Sequence, residues 1–291
     1  MRRSPVRDGP RRTNVGCMNP LEWTAADATD WIRRPLPGDD KYSRGVLGVV
    51  TGSAEYPGAA VLGVEAALHT GLGMVRYLGP AAPTHLVLAR RPEVVTVPGR
   101  VQAWLLGSGM DAKSRDAATT ARFEHAIAQE LPTVLDAGAL DVLSEVTGPV
   151  VITPHLGELA RVLGVDRAEI AADAPGWAGR AAAELGVTVL LKGAATYVAE
   201  PGGTLLVARS DNGWMATAGS GDALGGILGA LVAGSVDRIA GDPTALARLA
   251  ATASVIHSRA ADLAGAGGPF VVLDLATAVA RVVARLVAPG R

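Results

Sequence analysis

Short runs of apolar, often β-branched residues recur along the chain, and stretches of helical character lie between them. The predicted strands cover residues 46–50, 74–78, 93–97, 103–106, 133–135, 150–152, 187–191, 196–199 and 205–207. The predicted helices cover residues 57–70, 115–130, 156–163, 175–185, 221–233, 243–264 and 273–287. Several strands are continuously apolar, which is typical of strands buried on both faces of a parallel sheet. The alternation indicates an α/β fold with helices on both faces of a mostly parallel central sheet.

The composition excludes several classes of protein. Apolar residues make up 49% of the 291 residues and charged residues 19%, which allows a large core and rules out global disorder. The net charge is only −1, so no basic field for nucleic acid or for an anionic membrane is expected. The single cysteine, Cys17, cannot form an intrachain disulfide.

The start of the chain differs in character from the rest. It is rich in arginine and lacks the apolar run of about 7–15 residues that a secretory signal needs. We interpret residues 1–20 as a flexible N-terminal extension, with Met18 as an alternative start, and residues 21–291 as a single domain. No apolar stretch is long enough to span a bilayer, so we expect a cytoplasmic protein.

Ligands of open parallel sheets bind beyond the C-terminal ends of the strands, and several polar or glycine-rich segments lie there. The segment around Ala59 opens a helix whose backbone a ligand can approach, or it is an ordinary turn. Gly109 closes a Gly-Ser-Gly segment that suits an anion or a nicotinamide-like ring, although this pattern is weak by itself. Asp136 follows the strand 133–135 and either caps the next helix or lines a pocket.

Two further strand ends carry charged residues. His155 and Glu158 lie three residues apart near the start of a helix, where both can meet one ligand; alternatively, Glu158 interacts with the helix dipole and His155 is a polar loop residue. Lys192 is followed by small residues, which suits phosphate binding; alternatively, it is an exposed lysine at a strand end. Two histidines and one carboxylate at zinc spacing do not occur, so metal-dependent hydrolysis is not predicted.

The strongest local signal is the segment 212–226, in which Gly219, Ser220 and Gly221 lead directly into an apolar helix. Unpaired amide groups and the positive end of the helix converge there and form an anion hole for a phosphoryl group in transfer. Asp222 lies in the first helical turn, where its carboxylate can accept the proton of an attacking hydroxyl. The alternative role for Asp222 is plain capping of the helix.

Taken together, these segments resemble the ADP-dependent NAD(P)H-hydrate dehydratases of the ribokinase-like superfamily. The Gly-Ser-Gly-Asp element at 219–222 is shared across the superfamily, whereas Pro-His-Leu-Gly-Glu at 154–158 and Lys-Gly-Ala-Ala-Thr at 192–196 are more specific. The resemblance implies a three-layer α/β/α ribokinase-like fold. It also implies a repair reaction in which (6S)-NADHX or NADPHX is dehydrated to NADH or NADPH while ADP becomes AMP and phosphate.

The resemblance further implies which residues form the site. Asp222 would be the catalytic base, and the anion hole would consist of Gly219, Ser220 and Gly221. The contacts with NAD(P)HX would come from Ala59, Gly109, His155 and Asp222. The ADP or AMP site would consist of Lys192, Gly193, Ala194, Ala195, Thr196 and Gly221. The chain departs from the family pattern at the segment 107–110 and at Gly138.

The expected cofactors and partners follow from the same resemblance. We expect ADP as phosphoryl-donor co-substrate and Mg²⁺ to share the phosphate charge, with metal ligands that the sequence does not reveal. The chain lacks room for the epimerase domain of some relatives, so a separate NAD(P)HX epimerase is expected in the pathway. We also expect a homo-oligomer, a tetramer being one such form, and no nucleic-acid or membrane partner.

Two other functions compete with this interpretation. One is a small-molecule alcohol kinase of the same superfamily, of the hydroxymethylpyrimidine or hydroxyethylthiazole type. The other is a non-catalytic nucleotide sensor on the same fold. Asp222 together with Gly219 and Gly221 argues against the sensor, because a degenerate site is expected to lose one of the three.

Overall fold

Nine strands form one sheet in the computed structural model, which describes residues 19–288. The strands are β1 (Leu21–Glu22), β2 (Val46–Val50), β3 (Met74–Tyr77), β4 (Ala103–Leu106), β5 (Thr133–Leu135), β6 (Val150–Ile152), β7 (Thr188–Leu191), β8 (Ala195–Ala199) and β9 (Leu205–Arg209). Their order in the sheet is β1-β9-β8-β7-β6-β5-β4-β2-β3. Neighbouring strands are parallel except at β8, which runs antiparallel to both β7 and β9.

Helices cover both faces of this sheet. They are α1 (Ala25–Thr29), α2 (Gly58–Thr70), α3 (Ala81–Arg90), α4 (Ala117–Ile127), α5 (Leu156–Leu163), α6 (Arg167–Ala172), α7 (Ala174–Leu185), α8 (Ser220–Ala233), α9 (Val236–Gly241), α10 (Ala245–Gly265) and α11 (Val272–Val287). Two 3-10 helices cover Ala137–Glu145 and Gly213–Met215. The mostly parallel sheet with helices on both sides confirms the predicted α/β/α architecture.

The strands are buried on both faces, as their continuous apolar runs predict. Along β2, Leu47 and Val49 pack into the apolar core that contains α2, α8, α10 and α11. Val46 and Val50 of the same strand pack into a second core on the opposite face, with α4, α5, α6 and α7. Successive side chains of a strand point to opposite faces, so a strand between two cores must be apolar throughout.

Helices α2 and α8 approach each other so closely that their backbones touch. A Cβ atom built at Gly226 of α8 would overlap the carbonyl oxygen of Gly63 in α2, and backbone cannot move aside as a side chain can. One turn of helix separates Gly63 from Ala59, and the Cβ position of Gly63 lies 3.3 Å from the carbonyl oxygen of Asp222. The close approach therefore fixes the start of α8 against the start of α2.

The structure also corrects parts of the predicted element pattern. Residues 93–97 form no strand; Val95 makes only one bridge with Arg76, and the Arg76 guanidinium donates to the Val97 carbonyl. Pro98 cannot donate to a ladder, which limits pairing at this end. The prediction missed β1, α1, α3, α6 and α9. In α3 the proline at 83 lies within the first turn, where a helix tolerates a missing N–H group.

Two expectations concern parts of the chain beyond these elements. Residues 1–18, most of the predicted N-terminal extension, lie outside the described residues. The boundary at residue 20 and the single domain over 21–291 stay predictions. Within residues 19–288, no helix is both long and apolar enough to cross a membrane.

Gly226→Ala should destabilise the fold. A methyl group at this position meets the Gly63 carbonyl, and overpacking of this kind costs about 1–3 kcal/mol. Gly179→Ala, the same substitution in an open position of α7, should instead stabilise by about 0.5–1 kcal/mol, because alanine has the higher helix propensity. Urea unfolding of both variants measures the difference, and equal effects would show that α2 and α8 have room between them.

Candidate active site

Four strands that are neighbours in the sheet end side by side, and the residues that follow them converge on Asp136. The order β7-β6-β5-β4 places Lys192, Thr153, Asp136 and Ser108 in adjacent positions, each directly or within two residues after its strand. Because these strands are parallel, their C-terminal ends form one continuous edge. This edge is where open α/β sheets bind their ligands.

Asp136 is buried, with 4% of its surface exposed, and both of its carboxylate oxygens accept hydrogen bonds. Oδ1 accepts from the Lys192 ammonium and from the Thr153 hydroxyl, each at 2.8 Å, and Oδ2 accepts from the Ser108 hydroxyl at 2.8 Å. Burial alone would raise the pKa of Asp136, but Lys192 and the hydroxyl donors outweigh it and hold the pKa below its ordinary value. Asp136 is therefore an anion, and it makes no capping hydrogen bond to the helix that follows.

The Lys192 ammonium lies among three carboxylates. It contacts Asp136, and its distance to Glu158 Oε2 is 4.0 Å. Burial lowers the pKa of Lys192, but the charges of Asp136, Glu158 and Asp222 together raise it above its ordinary value. Nζ also lies 3.5 Å from the point where a Cβ of Gly221 would stand, so the ammonium faces the start of α8.

Helix α8 begins at the predicted anion hole. Gly219 is its N-cap residue with a φ of +92°, a conformation that favours glycine, and the Ser220 amide donates to the Thr217 carbonyl. The next amides, of Gly221 and Asp222, belong to the first turn and have no partner within the helix. Such amides, together with the positive end of a helix, are suited to binding a phosphoryl oxygen, as the sequence predicts for this segment.

Asp222 is not the cap of α8. The cap position belongs to Gly219, and no side chain makes a capping hydrogen bond there. Burial raises the pKa of Asp222 to about 7, the charge of Asp136 adds to the rise, and Lys192 opposes it. A carboxylate with a pKa close to neutrality can accept a proton and release it again, which is the requirement for a general base at neutral pH.

His155 is the N-cap residue of α5 and forms a reciprocal capping box with Glu158. Nδ1 of the imidazole accepts from the amides of Gly157 and Glu158 at 3.0 and 3.2 Å, while the Glu158 carboxylate accepts from the His155 amide at 2.8 Å. Nδ1 is thus an acceptor, which leaves the ring proton of the neutral tautomer on Nε2. The side chain is 57% exposed, and Nε2, which lies 3.6 Å from Glu158 Oε1, is accessible to a ligand at the sheet edge.

Ala59 and Gly109 lie against each other on the other side of α8. Gly109 has a φ of +65°, and a Cβ atom there would overlap the Ala59 methyl group. The Ser108 carbonyl accepts from the Gly52 amide at 2.7 Å, which joins the ends of β2 and β4. These two predicted substrate contacts therefore form one wall, with small side chains, beside the helix that carries Asp222.

The predicted nucleotide segment lies in the connection between β7 and β8. Gly193 and Ala194 form an exposed turn, and Ala195 and Thr196 begin β8. The Lys192 amide donates to the Pro154 carbonyl at 2.8 Å, which draws this connection towards His155. Lys192 and Gly221 come together as the prediction requires, but the ammonium is paired with Asp136 instead of standing free.

Sequence reasoning missed two features of the site. It placed Asp136 and the Gly-Ser-Gly segment at strand ends, yet only the order of strands in the sheet shows that Ser108 and Thr153 both donate to Asp136. It also passed over His257, which is fully buried in α10 with Nε2 3.2 Å from the Ser220 hydroxyl. Burial lowers the pKa of His257 to about 4, so this imidazole is neutral. Its place within an apolar helix gave no signal.

The side chains of the site can be compared with those that usually bind magnesium ions. Over residues 19–288, no group of three or more His, Cys, Asp or Glu side chains is arranged to hold a metal. Mg²⁺ in phosphoryl-transfer sites is held by one or two carboxylates together with the substrate phosphates. A magnesium ion at this edge would therefore need the phosphates of a bound nucleotide among its ligands.

A mostly parallel α/β/α sheet with a glycine at the N-cap of α8 and an acid in its first turn defines a ribokinase-like protein. A solved structure supports this assignment of the fold. The ADP/ATP-dependent NAD(P)H-hydrate dehydratase from Bacillus subtilis, co-crystallised with ATP and Mg²⁺, superposes with a TM-score of 0.80 at 25% identity. The match covers 93% of this chain and 100% of that chain.

Within this class, the chain belongs to the NAD(P)H-hydrate dehydratase family, whose sequence profile matches residues 47–279. It is 42% identical over 267 residues to a bifunctional NAD(P)H-hydrate repair enzyme of Mycobacterium leprae, covering 87% of this chain and 52% of that protein. It is 38% identical over 212 residues to an ADP-dependent (S)-NAD(P)H-hydrate dehydratase of Neisseria meningitidis, covering 66% of this chain and 70% of that protein. The chain thus spans about half the length of the bifunctional mycobacterial relatives that it matches.

Asp222→Asn should stabilise the protein by an amount that grows with pH. The pKa of Asp222 is about 7 in the folded protein, above its ordinary value of 3.8. Between pH 3.8 and about pH 7, the folded state therefore keeps a proton on this carboxyl group that the unfolded chain has lost. The contribution of Asp222 to stability is therefore most favourable below the lower pKa and declines as the pH rises through the upper one. Asparagine has no such ionisation. Thermal unfolding at about pH 5 and about pH 8 measures the gain in Tm of Asp222→Asn over the native protein. This gain should be several degrees larger at the higher pH.

Asp116→Asn is the control for this measurement. Asp116 caps α4, and its hydrogen bonds from Thr119 lower its pKa, so its ionisation contributes with the opposite sign. A Tm gain for the Asp222 variant that is the same at both pH values would contradict a carboxylate whose ionisation is opposed by burial.

Proposed function

We propose that the protein catalyses ADP-dependent dehydration of (6S)-NADHX and NADPHX to NADH and NADPH, with release of AMP and phosphate. The observation that carries the proposal is the Asp222 carboxylate, which is free of any capping role and has a pKa raised to about 7 at the anion hole of α8. An acid in this state suits the removal of a proton from an alcohol during phosphoryl transfer. The family membership of the chain supports NAD(P)H-hydrate as that alcohol.

The first step would phosphorylate the hydroxyl at C6 of the hydrated nicotinamide ring. The hydroxyl oxygen attacks the β-phosphorus of ADP, its proton passes to Asp222, and the bond between this phosphorus and the bridging oxygen breaks to release AMP. Gly219, Ser220 and Gly221 hold the transferring group through the amides and positive end of α8, where charge develops. Lys192, which faces Gly221, adds a positive charge on the nucleotide side.

The second step would eliminate the phosphate. The electron pair of the neighbouring ring nitrogen helps to break the C6–O bond, phosphate leaves, and loss of a proton from C5 restores the dihydropyridine. Hydroxide is a far poorer leaving group than phosphate, which is why the first step is needed. When bound with the nucleotide, Mg²⁺ neutralises part of the phosphate charge.

The substrate would lie between two walls. Ala59 and Gly109 form the wall of small residues, which admits a flat ring close to Asp222. His155 stands at the other side with a ring proton on Nε2, which suits the oxygen atoms of a dinucleotide. ADP would occupy the connection between β7 and β8, where Gly193, Ala194, Ala195 and Thr196 follow Lys192.

The pathway partners and setting are part of the same proposal. A separate epimerase would supply the (6S) form, and the protein would act in the cytoplasm as a homo-oligomer. Size-exclusion chromatography with light scattering measures the oligomeric state independently of activity.

The direct test is repair of NADHX by the purified protein, followed by the absorbance of reduced nicotinamide. With ADP and Mg²⁺, the absorbance should rise in step with AMP and phosphate. Asp222→Asn should lower kcat by about 10²–10⁴, the usual contribution of a general base, while the Kd for ADP stays near that of the native protein. Asp116→Asn, which alters a helix cap elsewhere, should leave kcat unchanged.

Three results would contradict the proposal. Near-native turnover of the Asp222 variant would remove Asp222 as the base. Turnover with ATP far above that with ADP would make the donor assignment wrong. Accumulation of a stable phosphorylated hydroxymethylpyrimidine or hydroxyethylthiazole from ATP, with no NADHX repair, would show a small-molecule alcohol kinase.

His155→Asn should weaken the substrate and leave the nucleotide unaffected. Asparagine can still cap α5 but cannot place a donor where Nε2 stands, and one lost hydrogen bond of about 0.5–1.5 kcal/mol raises the KM for NADHX by about 2–13-fold. The KM for ADP should not change. Thr24→Ala, which opens the capping box of α1, controls for the loss of a cap. Equal increases in the KM for NADHX and in the KM for ADP would contradict a role of His155 in binding NADHX alone.

A further inference from the structure

The start of α8 has no side-chain cap, although the proposed reaction would place a phosphoryl group there. Capping side chains are usually those of Ser, Thr, Asn or Asp, and they accept hydrogen bonds from the amides of the first turn. The N-cap residue of α8 is Gly219, which has no such group. The first-turn amides of Gly221 and Asp222 thereby stay available to a ligand. Because helix ends fray, the turn needs another means of being held in place.

A buried hydrogen bond to α10 holds this turn. The Ser220 hydroxyl oxygen lies 3.2 Å from Nε2 of His257, and the two side chains share one hydrogen bond. Both residues are buried, so water hardly competes with this bond. Ser220 is the first residue of α8, whereas His257 lies in the interior of the long helix α10. The hydroxyl is thus directed into the core, and its bond occupies no amide of the first turn.

The supports of this turn come from two neighbouring helices. In α10, Ala253 and Ile256, which flank the turn that carries His257, are fully buried in the core. In α2, the Cβ position of Gly63 lies 3.3 Å from the Asp222 carbonyl oxygen. Neither support uses an amide donor of α8, which a capping side chain would do.

We propose that His257 is a positioning residue that takes the place of a helix cap: it holds the first turn of α8 through the Ser220 hydroxyl and keeps the available amides of that turn aligned with a phosphoryl group. His257 itself touches no substrate. An ordinary cap would compete with the phosphoryl group for the same amides. The proposal rests on the proposed function in taking this group to be the β-phosphate of ADP.

The proposal requires a selective effect on nucleotide binding. AMP is what remains of ADP after the β-phosphate is transferred, so AMP lacks the group that the first turn of α8 would hold. Loss of the bond between Ser220 and His257 should therefore weaken the binding of ADP and leave that of AMP unchanged. General damage to the nucleotide site would weaken both.

The test measures the Kd for ADP and the Kd for AMP by isothermal titration calorimetry, with no NADHX present. His257→Leu keeps a similar volume but has no polar group. It should raise the Kd for ADP by about 2–13-fold, which corresponds to one hydrogen bond, and leave the Kd for AMP unchanged. Ser220→Ala removes the same bond from the other side and should have the same effect. In both variants, kcat/KM for NADHX repair should fall with the affinity for ADP.

Two further variants show whether the effect passes through the Ser220 hydroxyl. His257→Gln can place its amide nitrogen near the position of Nε2, so it should restore the native Kd for ADP. The double variant with Ser220→Ala and His257→Leu should bind ADP within about twofold of the weaker single variant, because one hydrogen bond can be lost only once.

Thr252→Val is the matched control. Thr252 lies in the same helix, is fully buried, and its hydroxyl accepts from the Trp23 indole at 3.1 Å. The substitution removes a buried side-chain hydrogen bond of α10 that does not involve α8. It should lower stability and leave both Kd values as in the native protein.

The outcomes separate the two proposals. Selective weakening of ADP in the variants, with no NADHX repair by the native protein, would support the role of His257 and refute the proposed function. NADHX repair by the native protein, combined with equal changes in both Kd values or with multiplying effects in the double variant, would overturn the role of His257. A native protein that binds neither nucleotide would refute both. If His257→Leu does not fold, His257→Asn takes its place, because its amide is too short to reach Ser220.

Discussion

A carboxylate almost fully removed from water needs donors for both oxygens, and Asp136 finds them only because four parallel strands end side by side. Ser108, Thr153 and Lys192 are separated by up to 84 residues of sequence (192 − 108) but belong to neighbouring strands. The buried anion therefore ties together the connections that carry the site. Loss of the parallel order would leave a charge in the core without partners.

The same anion determines how the remaining charges behave. One ammonium is shared among Asp136, Glu158 and Asp222, and only Asp136 contacts it directly. Burial raises the pKa of Asp222 to about 7, whereas Lys192 and the hydroxyl donors hold the pKa of Asp136 below its ordinary value. Two aspartates near the same lysine thus acquire different protonation behaviour from their surroundings alone, one suited to anchoring and the other to proton transfer.

The sequence was sufficient for the architecture and for the centre of the site, for physical reasons. Continuous apolar runs predict strands buried on both faces, and the glycines before Asp222 predict an open helix start, because both are local patterns. The alternative roles of Asp136 could not be separated, since its partners depend on strand order. The capping role of His155 was also missed, because imidazole is not among the usual capping groups. The failed strand at 93–97 reflects a guanidinium bond to Val97 that no local pattern encodes.

Helices α2 and α8 meet backbone to backbone at Gly63 and Gly226, so no side chain between them can change rotamer and let them slide. Ala59 and Asp222 consequently belong to one stiff unit. The facing connections, with His155 and the turn at Gly193, are exposed. The side of the site formed by Ala59 and the start of α8 thus has a shape that rotamer changes between the two helices cannot alter.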